Sequence, residues 1–255
     1  MGSGLLSSPF LTTEALTKQT AYVKNRTDRG RVRTTLRRHP ERALAERGDV
    51  NAILDEALVA HVGFIDDGAP VVIPTTYARI GDCLYLHGAV GGRLAQTLAA
   101  AEQICVTVTV LDGLVLARSA FHHSMNYRSV VVFGKPRAVT DPAEKERAFA
   151  ALVEHIVPGR SADTRSAAQG ELSATGVIAL DLSECSAKSR CGPPVDASAD
   201  VAAPYWAGVL PARLVFGEPL PDDRAQGMPL PPYLRGYERP APRTATTPDG
   251  APRKR

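Results

Sequence analysis

No apolar run among the 255 residues approaches the roughly 20 that a bilayer-spanning helix needs, which removes helical membrane transport from consideration. A secretory pattern is also missing, because Leu5-Leu6 is too short an apolar stretch and polar residues follow at once. Position 6 is leucine where a myristoylation signal needs Ser or Thr. Cysteine is scarce: Cys83, Cys105, Cys185 and Cys191 show no C-x-x-C spacing and no density of a stapled secreted domain. Reduced thiols and a cytoplasmic location are the resulting expectation. Zinc spacing, a Glu-x-x-His pair and an internal repeat are all lacking, so no metal site is expected from spacing. Aromatics make up only 5% of the chain, and none interleave with its basic residues, which argues against nucleic acid as a partner.

Charge is present but segregated. Residues 18–47 carry ten Lys or Arg against Asp28, Glu41 and Glu46, a local +7, so the rest sums to 3 − 7 = −4. Residues 1–33 lack sustained periodicity and read as a basic, poorly ordered extension; residues 34–225 hold the apolar patterning of one domain; residues 226–255 form a Pro/Gly-rich tail. Pro40 is expected to open a helical turn running to Ala45, and Asp49 to cap a helix bearing Ile53, Leu54 and Ala57. Val59 to Ile65, Pro70 to Tyr77 and Cys83 to Leu86 read as three consecutive strands of a meander, the first two joined by Asp66-Asp67-Gly68. A short helix carries Leu94, Leu98 and Ala101. Further strands fall at Ile104 to Leu111, Tyr127 to Val139 (bent at Gly134 or Pro136) and Gly176 to Leu182, with an extended stretch at Trp206 to Phe216. Asp141-Pro142 starts a helix burying Phe149, Leu152, Val153 and Ile156, and Pro158-Gly159 stops it. The fold class is mainly β with covering helices, a meander-rich barrel.

One stretch carries chemistry by its own composition. His87-Gly88-Ala89-Val90-Gly91-Gly92-Arg93-Leu94 joins a strand to a helix through three glycines and an arginine. A helix start offers unpaired N–H groups, glycine lets a ligand approach the backbone, and a guanidinium forks onto phosphate. It is therefore the candidate phosphate site of a nucleotide-like cofactor.

The order of motifs resembles the FMN-binding split-barrel family related to pyridoxamine 5′-phosphate oxidase, in its uncharacterised bacterial branch near the nitroimidazole reductases. The likeness runs collinearly from about Arg37 to Tyr233. It rests on Arg38-His39-Pro40-Glu41-Arg42, His61-Val62-Gly63-Phe64, Val72-Ile73-Pro74-Thr75, Leu86-His87-Gly88 with Arg93, and Ala117-Arg118-Ser119 through His123 to Val130. Pro158-Gly159-Arg160, Ser186-Ala187-Lys188, Gly192-Pro193-Pro194 and Trp206 to Pro211 continue it. The resemblance implies a split β-barrel homodimer with FMN in a shared cleft. On it, Val72, Ile73, Pro74 and Thr75 run along the flavin ring, and His87, Gly88, Gly92 and Arg93 form the phosphate turn. Arg128 is a second phosphate or ring contact, beside Ser129. Where serines often stand in relatives, this turn has Val90, Gly91 and Gly92, which leaves backbone N–H groups to supply donors.

The implied function is an FMN-dependent oxidoreductase acting on a small molecule, because a flavin carries the redox chemistry itself and no catalytic dyad stands out. His122, His123, Asn126, Tyr127, Lys188 and Trp206 are candidates for the cleft or substrate, with Arg190 beside Lys188 a further anion contact. Two alternatives stay open: a haem-binding protein or haem enzyme on the same barrel, with His87 or one of His122 and His123 on iron, and a non-catalytic flavin carrier or sensor.

Overall fold

The computed structural model describes residues 33–239; nearly all of the extension expected over residues 1–33, and residues 240–255 of the tail, lie outside the described residues. Among the described residues, Leu36 to Arg239 form one unit. Among the described residues are eleven strands and four α-helices, beginning with β1 Ala43–Leu44, α1 Arg47–Glu56, β2 Ala60–Asp66, β3 Ala69–Thr75, β4 Tyr77–Ile80, β5 Cys83–Ala89 and α2 Arg93–Ala100. There follow β6 Ile104–Leu116, β7 Ser124–Gly134, β8 Arg137–Ala138, α3 Pro142–Ile156, α4 Gln169–Ala174, β9 Thr175–Asp181, β10 Cys185–Arg190 and β11 Gly208–Pro211. They make two antiparallel sheets. The larger has the order β1-β10-β7-β6-β2-β3, with β11 also on β6; the smaller has the order β4-β5-β9-β8. No described helix is long and apolar enough to cross a membrane.

The core follows from strand alternation. Ile104, Val106 and Val108 of β6 and Val130 and Val132 of β7 point inward, against Val62 and Phe64 of β2, Leu84 and Leu86 of β5, Ile178 and Leu180 of β9, and Ile53 and Leu54 of α1. Helix α3 covers the opposite face of the smaller sheet, packing Ala148 and Phe149 onto Tyr85, Val177 and Ala179. Its start is as the sequence predicts: the Asp141 carboxylate accepts the N–H groups of Ala143 and Glu144, with Pro142 in the first turn. Its end differs, since Ile156 is about half exposed.

Several sequence expectations are corrected. Asp67 and Gly68 both have positive φ, 48° and 75°, so the β2–β3 hairpin closes with the two-residue turn expected. The meander stops there, however. The chain breaks at Thr76, and β4 joins the other sheet to pair with β5. Pro70 and Pro74 lack the N–H a third strand would need, which confines β3 to an edge. The turn opened by Pro40 is a single 3₁₀ turn to Arg42, after which Ala43–Leu44 pairs with β10. Helix α1 begins before Asp49, which lies in its first turn. The long strand signal from Tyr127 splits at Lys135-Pro136, and residues 226–239, expected in the tail, are tied to the body. The Tyr233 hydroxyl donates to Asp163 Oδ2 at 2.6 Å and accepts from Arg160 Nη1 at 2.9 Å.

Helix α1 ends at Ala57 without a glycine, and its last carbonyls are satisfied by other elements. The Tyr77 hydroxyl lies 2.5 Å from Leu54 O and 3.1 Å from Ala57 O. His155 Nε2 donates to Ala57 O at 2.8 Å, its ring centroid 4.6 Å from that of Tyr77 and tilted 47° to it. Arg239 donates to Asp55 O at 2.9 Å, Glu56 O at 2.7 Å and Ile156 O at 3.2 Å, and also to His155 O. Burial, and then the charge of Arg239, lower the pKa of His155 from 6.5 to about 4. A buried neutral histidine must take up a proton on unfolding in acid, so stability is expected to fall as pH drops from about 6.5 towards 4 and to be unaffected by this group above that window. Urea titrations of the wild type and His155→Gln at pH 7.5 and 5 check this: the variant should lose part of the acid-side decline.

Candidate functional site

Strand β5 delivers its last residues to the start of α2. Gly92 is the N-cap of α2, its N–H bound to Ala89 O at 2.8 Å, and no side chain caps the helix. The first-turn N–H groups therefore have neither an intrahelical nor a side-chain partner. A Cβ at Gly92 would sit 3.0 Å from Ala89 O, and one at Gly176 of the adjacent β9 would sit 3.0 Å from Ala95 Cβ, so glycine sets how closely the helix start meets the strands. Arg93, the first helical residue, turns one edge of its guanidinium to Asp66 at the end of β2: Nε and Nη2 both lie 2.5 Å from Oδ2. Thr97 Oγ1 donates to Asp66 Oδ1 at 3.3 Å. With its side chain 62% exposed, Arg93 keeps the other edge towards solvent. In the sequence Asp66 is turn chemistry alone; its position at the strand end, bound to Arg93, gives it a second role.

His87 is half-buried on β5, and its Nδ1 is fully buried with no hydrogen-bond partner. Burial alone lowers its pKa, so the ring is a neutral imidazole at physiological pH. Tyr77, two residues after Thr75, pairs with Leu86, which brings the end of β3 alongside His87-Gly88. On β3 itself Val72 and Pro74 face outward while Ile73 packs against the core. Thr75, at the end of β3, is thus the member of the Val72-to-Thr75 stretch that this pairing carries towards the glycine turn.

Arg128 stands differently. Its Nε donates to Asp112 Oδ2 at 2.9 Å and its Nη2 to Asp112 Oδ1 at 2.7 Å and Glu56 Oε1 at 2.8 Å; Nη1 bonds Glu56 Oε2. A guanidinium that is 10% exposed and held by two carboxylates has no edge left for a phosphate, so Arg128 locks β7 to α1 and β6 instead. Ser129 is buried in register between Thr109 and Lys188. Glu56 and Asp112 carry no motif that distinguishes them, and sequence reasoning missed both.

The remaining candidates gather at the far end of β6 and β7. Asn126 accepts from Arg190 Nη1 and donates to Gly192 O at 3.1 Å, while Arg190 Nη2 reaches Pro193 O at 3.1 Å. This pair fastens the Gly192-Pro193 loop, which uses the Arg190 donors internally. Lys188 Nζ lies 5.5 Å over the Tyr127 ring. His122 Nδ1 is 2.7 Å from Ser119 Oγ, and His123 Nδ1 donates to Ser119 O at 2.9 Å. Trp206 is 70% exposed and stands over Gly208, where a Cβ would come within 2.7 Å of its ring.

The chain is similar to known proteins over most of this body. A family model described as pyridoxamine 5′-phosphate oxidase matches residues 46–189. The flavocytochrome Anf3 from Azotobacter vinelandii is 39% identical, with a TM-score of 0.76, over 81% of this chain and 96% of that one. The FAD- and haem-binding protein from Mycobacterium smegmatis is also 39% identical, with a TM-score of 0.73, over 76% of this chain and 96% of that one. No curated protein matches the sequence. A family match spanning more than half the chain, together with this identity, places the protein in the pyridoxamine 5′-phosphate oxidase family, on the FMN-binding split barrel expected from its motifs.

Proposed function

We propose that the protein is a flavin-dependent oxidoreductase acting on a small molecule, and that it carries a haem as well. The observation behind the flavin assignment is the uncapped start of α2 beside Arg93, which keeps one guanidinium edge unused. The buried, unpartnered Nδ1 of His87 fits the same group, because a polar ring edge alongside would satisfy it. Arg93, Gly92 and the first-turn N–H groups would hold the phosphate; Thr75, Val72 and His87 would flank the ring. When bound, a flavin supplies hydride and single-electron transfer, so the residues have only to orient it and exclude water. The turn has no feature that limits it to one phosphate, and the relative from Mycobacterium smegmatis binds FAD, so FMN and FAD are told apart by mass after release.

Haem and flavin need not be alternatives. Both relatives at 39% identity are described by the two cofactors together. A homodimer accounts for exposed apolar groups a lone subunit would leave in water, among them Ile65 at 61% and Val72 at 63% on the β2–β3 edge. Sedimentation should give a dimer; a monomer that binds flavin tightly would end the shared-cleft reading.

Arg93→Ala tests the phosphate assignment. Flavin affinity should weaken at least tenfold, about 1.4 kcal/mol, measured by fluorescence quenching with the apoprotein. A change below about twofold, against the 1.5–3 kcal/mol of a charge-assisted bond, would move the phosphate elsewhere. A bound flavin reduced anaerobically by light but by no nicotinamide donor would make the protein a carrier.

A further inference from the structure

Charge is compensated unevenly over the described residues. Arg79, Arg118, Arg128, Arg137 and Arg165 each hold a carboxylate of the same chain. At the β1–β10 edge of the larger sheet this pattern breaks. The Pro40–Arg42 turn lies against β10, and Ala43 pairs with Lys188. Arg37 and Arg38, just ahead of the turn, are exposed, and neither they nor Lys188 have a carboxylate partner among the described residues. Arg190 gives its donors to groups without charge, the Asn126 amide oxygen and the carbonyls of Gly192 and Pro193. Burial, and then the charge of Arg42, lower its pKa, as expected where cations stand together. Glu41 is the one acid between Leu36 and Leu44; it lies 2.9 Å from His39 Nδ1 and reaches Arg42 Nε only at 3.9 Å.

The same sign of charge continues in the sequence that leads into this edge. Residues 18–32 carry Lys18, Lys24, Arg26, Arg29 and Arg31 against Asp28 alone, and ahead of them stand Leu5, Leu6, Phe10 and Leu11. A cluster of cations combined with apolar residues is the pair of signals by which a peripheral protein holds to an anionic leaflet, since one signal alone binds marginally. A nucleic acid duplex would engage the cations and leave the apolar residues without a role. The strand order sets this edge five interstrand spacings from β3, about 24 Å along the sheet. A surface held at β1 and β10 therefore leaves Val72 and Thr75 of the candidate site uncovered. The chain outside residues 18–47 has a net charge of −4, so the rest of the molecule turns away from a negative surface.

We propose that the β1–β10 edge, with Arg37, Arg38, Arg42 and Lys188, docks the protein on the headgroups of an anionic lipid surface. Lipid phosphates supply the negative charge that the edge lacks, and each cation close to such a layer strengthens binding about fivefold. The attraction falls off within a Debye length, about 10 Å at about 0.1 M salt, so it is sensitive to ionic strength. It is independent of the flavin and leaves the proposed chemistry as it stands.

The test is co-sedimentation of the full-length protein with vesicles of phosphatidylglycerol and phosphatidylcholine in about a 3:7 ratio, beside vesicles of phosphatidylcholine alone. Wild type should sediment with the anionic vesicles and not with the neutral ones, and should be released as salt rises from about 50 mM to about 500 mM. Arg37→Glu with Arg38→Glu should weaken this binding at least tenfold while the absorption spectrum and thermal midpoint stay those of wild type. Arg213→Glu with Arg224→Glu changes the net charge equally at exposed positions away from this edge, and should bind as wild type does. Wild type that stays in solution with the anionic vesicles overturns the proposal, as does binding by the Arg37/Arg38 variant at wild-type strength. An equal loss in both double variants reduces the effect to net charge and overturns the assignment to this edge. Retention by duplex DNA but not by the vesicles makes the partner a nucleic acid and also overturns it.

Discussion

The end of α1 is the joint on which the rest of the structure depends. Within the four residues from Leu54 to Ala57, all four carbonyls are taken by side chains of three distant elements: Tyr77 of β4, His155 of α3 and Arg239 near the end of the described chain. The two carboxylates of the same turn reach outward, Asp55 to Arg79 on β4 and Glu56 to Arg128 on β7. A helix end carries partial negative charge and unsatisfied acceptors, and cations belong there. Here that local need is met by groups from both sheets, so closing one helix also sets the smaller sheet, α3 and the C-terminal segment against the larger sheet. The approach of the end of β3 to the end of β5 depends on this, because Tyr77 is both the first residue of β4, paired with Leu86, and a partner of the α1 carbonyls.

How legible was this in the sequence? Where a residue's own backbone preference or alternation decides, the reading succeeds: Asp67-Gly68 closes its hairpin, Asp141-Pro142 starts its helix, and β6 and β7 alternate as their valines imply. It fails where a partner decides. Cys185–Arg190 contains Ser, Ala, Lys and Ser and has no β signature, yet it is a strand because six of its residues register against β7. The Thr75-Thr76 break looks like the middle of one strand in sequence, and only the lack of a neighbour beyond β3 turns it into a change of sheet.

The candidate site shows the same division. The helix start with Gly92 and Arg93 is a local object, visible as glycines before an apolar stripe, and the structure keeps it. Arg128 is indistinguishable in sequence from an anion ligand, since the difference lies in Glu56 and Asp112, 72 and 16 residues away. Residue type sets what a side chain can bind. Which charge reaches it first is a property of the fold.

That distinction decides between the two arginines on energetic grounds as well. Arg128 is nearly buried between two acids, and removing it would leave both carboxylates uncompensated at a cost of about 3 kcal/mol or more. Arg93 is 62% exposed, where an ion pair contributes about 0–1 kcal/mol, so Asp66 stabilises the fold little. Its effect is instead on orientation. By holding the Nε and Nη2 edge, Asp66 aims the remaining edge away from β2 and restricts the rotamers of a side chain that otherwise carries about 2 kcal/mol of conformational entropy. On the proposed assignment, a phosphate at the start of α2 would compete with water for the second edge rather than with the carboxylate for the first.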